Sequence, residues 1–348
     1  MSVSPNGAEG KRAAPLLEVR GLTKHYPLKR GIGARLRGEP ALAVRAVDGI
    51  DFAIDRGQTL GLVGESGCGK TTTGRCVLFL QTPTAGEVLV DGERVDPEDD
   101  AALRRRRREL QIVFQDPNSS LNPRMTIGQT LGEALTFHRM VDRGDRGAAV
   151  AQLLETVGLS QTQANRYPNE LSGGQRQRVG IARALAVDPA LIVADEPVSA
   201  LDVSVQAQIL QLLGRLREER GLSYLFISHD LGVVRHIADA VAVMYLGLIV
   251  ERAPSTRLFA NPLHPYTQGL LAAAPVADPR RRRARRLLEG DPPSPIAPPS
   301  GCRFRTRCPY ATDLCAAEVP PLREIEPGHF VACHYAGEVG VSHAPSPA

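Results

Sequence analysis

Residues 64–71 read Gly64-Glu65-Ser66-Gly67-Cys68-Gly69-Lys70-Thr71. Glycines at this spacing let backbone N–H groups turn inward around a phosphate, and the positive end of a following helix adds to the attraction. Lys70 is then placed to reach the β- and γ-phosphates of a nucleotide, the Thr71 hydroxyl to reach Mg²⁺, and Thr72 to join the nucleotide-binding residues. Lys70 is also the only lysine after residue 29, in a chain that otherwise uses arginine. A compact ammonium fits between phosphate oxygens inside a tight loop, where a planar guanidinium does not. Far downstream, Leu191-Ile192-Val193-Ala194-Asp195-Glu196 is an apolar run ending in two acids. A buried strand with that ending sets Asp195 beside the metal and Glu196 beside the γ-phosphate, where it can polarise an attacking water. Between these segments, Ser172-Gly173-Gly174-Gln175 offers free N–H groups, a hydroxyl and a helix dipole, a second anion site by the same physics. Taken alone, Ser-Gly-Gly is equally an ordinary helix cap.

The elements that must position these residues are legible in outline. Alternation predicts strands from Leu17 and over Ala46–Ile54, and a buried strand over Gln58–Val63 runs into the glycine loop. A helix follows from Thr71, then a turn at Pro83–Gly86 and the strand Glu87–Gly92. Arg104–Arg108 reads as a solvated helix end before the strand Gln111–Gln115. A mainly helical stretch extends from Asp116 to about Asn169, and a helix over Gln175–Val187 is capped by Ser172 or Gly173. Strands at Leu191–Ala194, Leu222–Ser228 and Val241–Tyr245 follow, with the helix Val203–Glu219 between the first two. The most apolar stretch, Ala240–Val250, reads as one buried strand. Strands alternating with helices make an α/β fold with a mainly parallel sheet covered on both faces.

Composition bounds the function. The 348 residues are 43% hydrophobic and 23% charged, with a net charge of +4, which is ordinary for a globular protein. No window offers the ~18–20 apolar residues of a membrane span, and the N-terminus lacks the apolar core of a signal peptide. The chain is therefore expected to be cytosolic, with any membrane contact peripheral. The basic run Arg280–Arg286 reads as a solvated face able to touch anionic lipid, and without an aromatic platform nucleic acid is not expected as a partner.

The order of motifs resembles the nucleotide-binding subunits of ATP-binding cassette (ABC) transporters, in which the LSGGQ of residues 171–175 is the signature. The finer match is to the ATPase subunits of oligopeptide and dipeptide importers. It rests on GESGCGKTT, VFQDPNSSLNPRMTIGQ, RYPNELSGGQRQRVGIARAL, DEPVSALDVSVQAQIL, FISHDLGVV, NPLHPYTQGLLAA and GCRFRTRCP, which span about residues 17–335. The insertion before Ala46 and the Gln175 of the signature look like the F-type member of a D and F pair. The resemblance implies a P-loop cassette with a RecA-like parallel core, an antiparallel β subdomain and a helical signature subdomain at about 116–180. Boundaries follow: a disordered 1–14, the nucleotide-binding domain at 15–260, an extension and proline-rich linker at 261–300, a small loop-rich cysteine module at 301–335 and a disordered 336–348.

The same resemblance assigns roles. Tyr26 is similar to the aromatic that stacks on adenine, Gln115 to a glutamine that reports Mg²⁺ and γ-phosphate, Asp202 to an aspartate crossing the dimer interface, and His229 to a switch histidine near the γ-phosphate. It implies ATP and Mg²⁺ as ligands. The implied partners are a second ATPase subunit (D-type) or a second copy, two transmembrane permease subunits and, indirectly, an extracytoplasmic peptide-binding protein. The segment after Gln115 would lie beside the permease, at the cytoplasmic face of the inner membrane. Rival readings are the same motor for nickel, sugars or other solutes, a soluble ABC ATPase acting on ribosomes or DNA, and a metal or redox sensor built on the cysteines. Cys302, Cys308, Cys315 and Cys333 lack paired C-x-x-C knuckles, yet four thiolates can hold a [4Fe–4S] cluster or Zn²⁺, or remain buried thiols. Cys68 and Cys76 read as packing residues.

Overall fold

A computed structural model describes residues 14–28, 42–116, 120–142, 144–273 and 290–339. The expected terminal tails, most of the insertion before Ala46 and the basic run Arg280–Arg286 lie largely or wholly outside these residues.

Two sheets carry the molecule. Strands β1 (Leu17–Pro27), β2 (Ala43–Ile54), β4 (Ala85–Val90) and β5 (Glu93–Arg94) form a four-stranded antiparallel sheet in the order β2-β1-β4-β5. The second sheet has eight strands. Its parallel part holds β3 (Thr59–Val63), β6 (Leu110–Val113), β7 (Leu191–Asp195), β8 (Ser223–Ser228) and β9 (Ala240–Tyr245) in the order β9-β3-β8-β7-β6. Successive side chains of these strands alternate between two cores. Leu62, Val193, Leu225, Ile227 and Ala242 meet the antiparallel sheet and the helix α1 (Lys70–Val77). Ile192, Ala194, Tyr224, Phe226, Val241 and Val243 meet the helices of the other face. Burial on both sides is why these strands read as unbroken apolar runs.

Among the described residues the remaining α-helices are α2 (Asp100–Glu109), α3 (Ile127–Phe137), α4 (Arg146–Thr156), α5 (Gly173–Leu185), α6 (Val203–Arg220), α7 (Leu231–Ile237), α8 (Ser255–Ala260), α9 (Pro265–Ala273) and α10 (Asp313–Ala317). Thr126 opens α3 and Ser172 opens α5, each with a reciprocal capping box to a glutamine three residues on. Helices α3, α4 and α5 pack on one another and form the expected helical region.

Two expectations change. Ala240–Val250 is not one strand but a hairpin. Strand β9 turns at Leu246-Gly247 into β10 (Leu248–Pro254), and both turn residues have positive φ, 43° and 81°. That pair of left-handed residues is what a two-residue hairpin with the twist of its strands requires. Nor do residues 301–335 stand apart as a module. Strand β12 (His329–Val331) pairs with β10, and β11 (Arg323–Glu326) pairs with β12, so the C-terminal segment extends the central sheet. Phe304 and Val331 are buried, and Phe304 joins the main core with Cys302 and Cys308 against it. Glu251 of β10 fixes the arrangement. Its fully buried carboxylate accepts the N–H of Leu263 (2.7 Å) and of His264 (3.1 Å) and pairs with His329 Nε2 at 2.7 Å. A buried carboxylate so paired cannot be released without stranding its charge.

Candidate active site at the phosphate loop

The register of the parallel strands assembles the site. Val63 lies opposite Ser228, Ala194 opposite both Val113 and Phe226, and Asp195 opposite Ile227. The chain therefore leaves β3, β6, β7 and β8 along one edge, the carboxyl edge where α/β sheets bind ligands. The glycine loop follows β3, Gln115 follows β6, Glu196 follows β7 and His229 follows β8.

In the loop, Gly64, Gly67 and Gly69 have φ of 156°, 78° and 114°. Gly69 has no room for a side chain, since a Cβ there would lie 2.0 Å from the Ala46 carbonyl oxygen. Gly69 caps α1, whose first turn carries Lys70, Thr71 and Thr72. The buried Lys70 ammonium donates to the carbonyl oxygens of Gly64 (2.8 Å) and Glu65 (2.9 Å) and lies 3.8 Å from Cys68 Sγ. Ser66 and Gly67 are exposed at the loop tip, and Cys68 is buried, its thiol pushed up by burial. Cys76 is likewise buried, and both thiols pack as the sequence predicts.

Thr71 Oγ1 donates to Asp195 Oδ1 at 2.9 Å. Burial raises the Asp195 carboxyl above its ordinary range, against the pull of the Thr71 hydrogen bond. A threonine hydroxyl and a carboxylate this close at a phosphate loop form an oxygen pair suited to Mg²⁺, a hard cation that takes few protein oxygens. Beside them, Gln115 Nε2 donates to Glu196 Oε2 at 3.0 Å, and His229 Nδ1 meets the same oxygen at 3.1 Å. Two residues from two strand ends thus converge on one carboxylate oxygen of a third. Such an oxygen, oriented from two sides, can orient a water and take its proton.

The other expected residues lie elsewhere. Tyr26, on β1, is half-buried, with its hydroxyl bonded to Gln81 and Lys24 Nζ 5.2 Å from its ring centre. Ser172 and Gln175 bond within their own cap, the Gln175 N–H to Ser172 Oγ (3.3 Å) and the Ser172 N–H to Gln175 Oε1 (2.9 Å). Gly173 and Gly174 approach Leu201 and Val205, and a Cβ on Gly174 would come within 2.5 Å of Val205. Asp202 is exposed at the N-cap of α6. The signature therefore lies against the start of α6.

Sequence reasoning missed the residues that hold the loop from outside. Tyr266 Oη accepts the Glu65 N–H at 2.9 Å, and Arg307 grips the Glu65 carboxylate at 2.7 and 2.9 Å. Both partners lie in segments of the family match, but contacts across 201 and 242 residues leave no local spacing to read.

Comparison with known proteins places this geometry. Residues 47–199 match the family model described as ABC transporter, and residues 250–315 the one described as oligopeptide/dipeptide transporter, C-terminal region. The oligopeptide transport ATP-binding protein AppF of Bacillus subtilis (strain 168) is 50% identical over 322 residues, covering 92% of this chain and 97% of its own. The dimeric post-hydrolysis structure of the ATP-binding cassette MJ0796 bound to ADP and Pi aligns with a TM-score of 0.60 at 32% identity, over 69% of this chain and 98% of its own. A second dimeric structure of MJ0796, a bacterial ABC transporter cassette, aligns with the same TM-score at 30% identity, over 69% and 98%. With the cassette fold and the phosphate loop in place, the chain belongs to the ABC transporter family, as one of its ATP-hydrolysing subunits that carry the oligopeptide/dipeptide transporter C-terminal region.

Proposed function

We propose that this chain powers an importer of di- and oligopeptides. The observation that carries the motor is the meeting of Gln115 and His229 on Glu196 Oε2, next to the Thr71–Asp195 pair. The cargo reading rests on the C-terminal region match and on the likeness to AppF. In this account Gly64 to Gly69 cradle the phosphates and Lys70 contacts the β- and γ-phosphates. Thr71 and Asp195 hold Mg²⁺ with Gln115 near it, Thr72 lies at the α-phosphate side, and Tyr26 stacks on adenine. Glu196 takes the proton of the attacking water, and His229 steadies the γ-phosphate.

Ser172, Gly173, Gly174 and Gln175 lie against the start of α6, and in this account they complete the site of a second subunit, a D-type partner or another copy, with Asp202 at the shared interface. The positive end of α5 then meets the γ-phosphate of the partner's nucleotide. Closure of the pair drives the permease, and hydrolysis reopens it. For the permease, the structure offers a groove of about 310 Å³ lined by Asn122, Met125, Thr130, Glu133, Phe137 and His138. Phe137 at its rim is 80% exposed, an unusual position for a phenylalanine. Among the described residues no helix is long and apolar enough to cross a membrane. In this account the contact with the permease is peripheral, at the cytoplasmic face of the inner membrane.

For Cys302, Cys308, Cys315 and Cys333 the proposal is a [4Fe–4S] cluster. All four line one cavity, and burial together with the other three thiols pushes Cys333 up to about 11. The donor set is right, but the cavity holds about 10 Å³, room for one water, so the walls must move apart to admit a cluster. Among the described residues no group of three or more His, Cys, Asp or Glu side chains is arranged to hold a metal ion, which counts against Zn²⁺ and the cluster alike. Iron and sulfide analysis of anaerobically purified protein should find about four of each per chain. Thiols fully titratable without iron would refute the cluster.

Uptake of labelled di- and oligopeptides tests the whole reading, in cells lacking other peptide importers and carrying wild type or Glu196→Gln. Loss of uptake with protein still at the membrane is the expected result. Unchanged uptake would reject peptides as cargo and direct the search to nickel and sugars.

A further inference from the structure

Glu65 has each of its polar groups engaged, and two of its four partners come from the last third of the chain. Its carbonyl oxygen accepts from Lys70 Nζ and the Cys68 N–H, its N–H donates to Tyr266 Oη, and its carboxylate is held by both prongs of Arg307. The Arg307 side chain is only 5% exposed and lies over the Tyr245 ring, 5.9 Å from its centre. Two residues closer to the N-terminus of the same loop, Arg305 bonds Ser300 within the loop, while Arg303 reaches outward to Asp48 and to the Leu246 carbonyl. Between Arg303 and Arg305, Phe304 packs on Tyr245 and Tyr266 with ring centres 5.3 and 5.5 Å apart. The turn bounded by Cys302 and Cys308 is thus pinned to the phosphate loop by Arg307, to β2 and the β9–β10 turn by Arg303, and to Tyr245 and Tyr266 by Phe304.

A glycine-rich loop has many backbone states open to it, and ordering it costs more than ordering other residues. Anchors from outside the loop remove part of that cost before ATP arrives. An exposed ion pair would do little, but a two-pronged arginine–carboxylate pair with one side chain nearly buried fixes direction as well as distance. We propose that the C-terminal segment is a positioning element for the phosphate loop, in which Arg307, with Tyr266, holds Glu65 so that the loop stands preformed for ATP. Arg307 acts through Glu65 and is a positioning residue, not a catalytic one. This goes beyond the family's hydrolysis chemistry and does not depend on the cargo or on any cluster.

The consequence is a specific kinetic split. Without the anchor, only a fraction of chains holds the binding-competent loop, and apparent affinity falls by that fraction while the ATP-bound loop is unchanged. Arg307→Ala should raise both Kd and KM for Mg-ATP about 5- to 10-fold with kcat within about 2-fold. Glu65→Gln should do the same, and the double variant should be no worse than either single one, because both remove one interaction. Arg307→Lys, keeping one prong, should fall between, and Arg305→Ala should leave KM at the wild-type value. Thermal melting of each variant checks folding. If Arg307→Ala does not fold, Arg307→Lys and Glu65→Gln carry the test. Wild-type KM in the folded variants, a kcat loss at constant KM, or additive effects in the double variant would overturn the proposal.

Discussion

Glu196 occupies the left-handed region with φ of 47°, a conformation that costs a non-glycine residue about 1–3 kcal/mol. Its N–H donates to the Ile227 carbonyl at 3.0 Å, which anchors the strained turn to the neighbouring strand. The strain aims the carboxylate at Gln115 and His229 instead of continuing β7. Glu196→Gln keeps the size and the hydrogen bonds but cannot take a proton. It should lower kcat by roughly 10²- to 10⁴-fold with ATP affinity retained, which single-turnover kinetics and equilibrium titration would check. Gly69→Ala tests the backbone in the same way. A Cβ facing the Ala46 carbonyl at 2.0 Å with φ of 114° should cost roughly 2–3 kcal/mol, visible as a lowered melting temperature together with lost ATP binding. The residues of this site were legible because phosphate and magnesium chemistry admits few side-chain types at fixed local spacing. Arg307 and Tyr266 were not, because nothing near them in the chain marks a partner that lies in the phosphate loop.

At the scale of elements, the parallel strands were readable because burial on both faces leaves continuous apolar runs, and their alternation with helices set the topology. Strand β11 was not, since Arg323, Glu324 and Glu326 carry charge at a sheet edge and show no apolar period. The hairpin β9–β10 was hidden inside one apolar stretch, its turn marked by a single glycine. The C-terminal strands are held by the buried cluster of Glu251, His264 and His329, and this cluster gives a pH dependence. Burial pushes the His264 imidazole down to about 4, and its Nδ1 accepts the Tyr266 N–H at 3.0 Å, so it folds neutral. An unfolded histidine titrates near ~6.5, and the folded value lies below it. The unfolded chain therefore binds the proton first as pH drops. This contribution is fully present above ~6.5, is lost at about 1.4 kcal/mol per pH unit on the way to about 4, and levels off below. His264→Asn should flatten the fall of the melting temperature across that window. A slope equal to that of the wild type would show that His264 does not titrate as described.

At the scale of the molecule, the phosphate loop and Glu196 lie on one edge of the sheet, and the signature at the start of α5 faces the beginning of α6, beside the exposed Asp202 and Val203. The proposed function has one chain supply half of each of two sites, so Glu196→Gln with Mg-ATP should accumulate as a dimer in light scattering while the wild type does not. The groove beside Phe137 is lined by residues of α3, Arg183 of α5 and the segment that follows β6. Phe137→Asp should abolish uptake and leave the ATPase activity of the isolated chain within about 2-fold, since an exposed side chain contributes little to stability. The broad division into cassette and C-terminal segment could be read from motif order. The way that segment folds back onto the central sheet could not, because it depends on one buried carboxylate meeting a histidine 78 residues away.

The measurement that tests the central claim most directly is ATP hydrolysis by the chain assembled with its permease and partner ATPase in lipid vesicles, with and without transported peptide. The account predicts hydrolysis that rises with peptide and is lost, along with peptide transport, in Glu196→Gln while ATP still binds. Peptide transport that persists in Glu196→Gln, or hydrolysis indifferent to peptide, would contradict it.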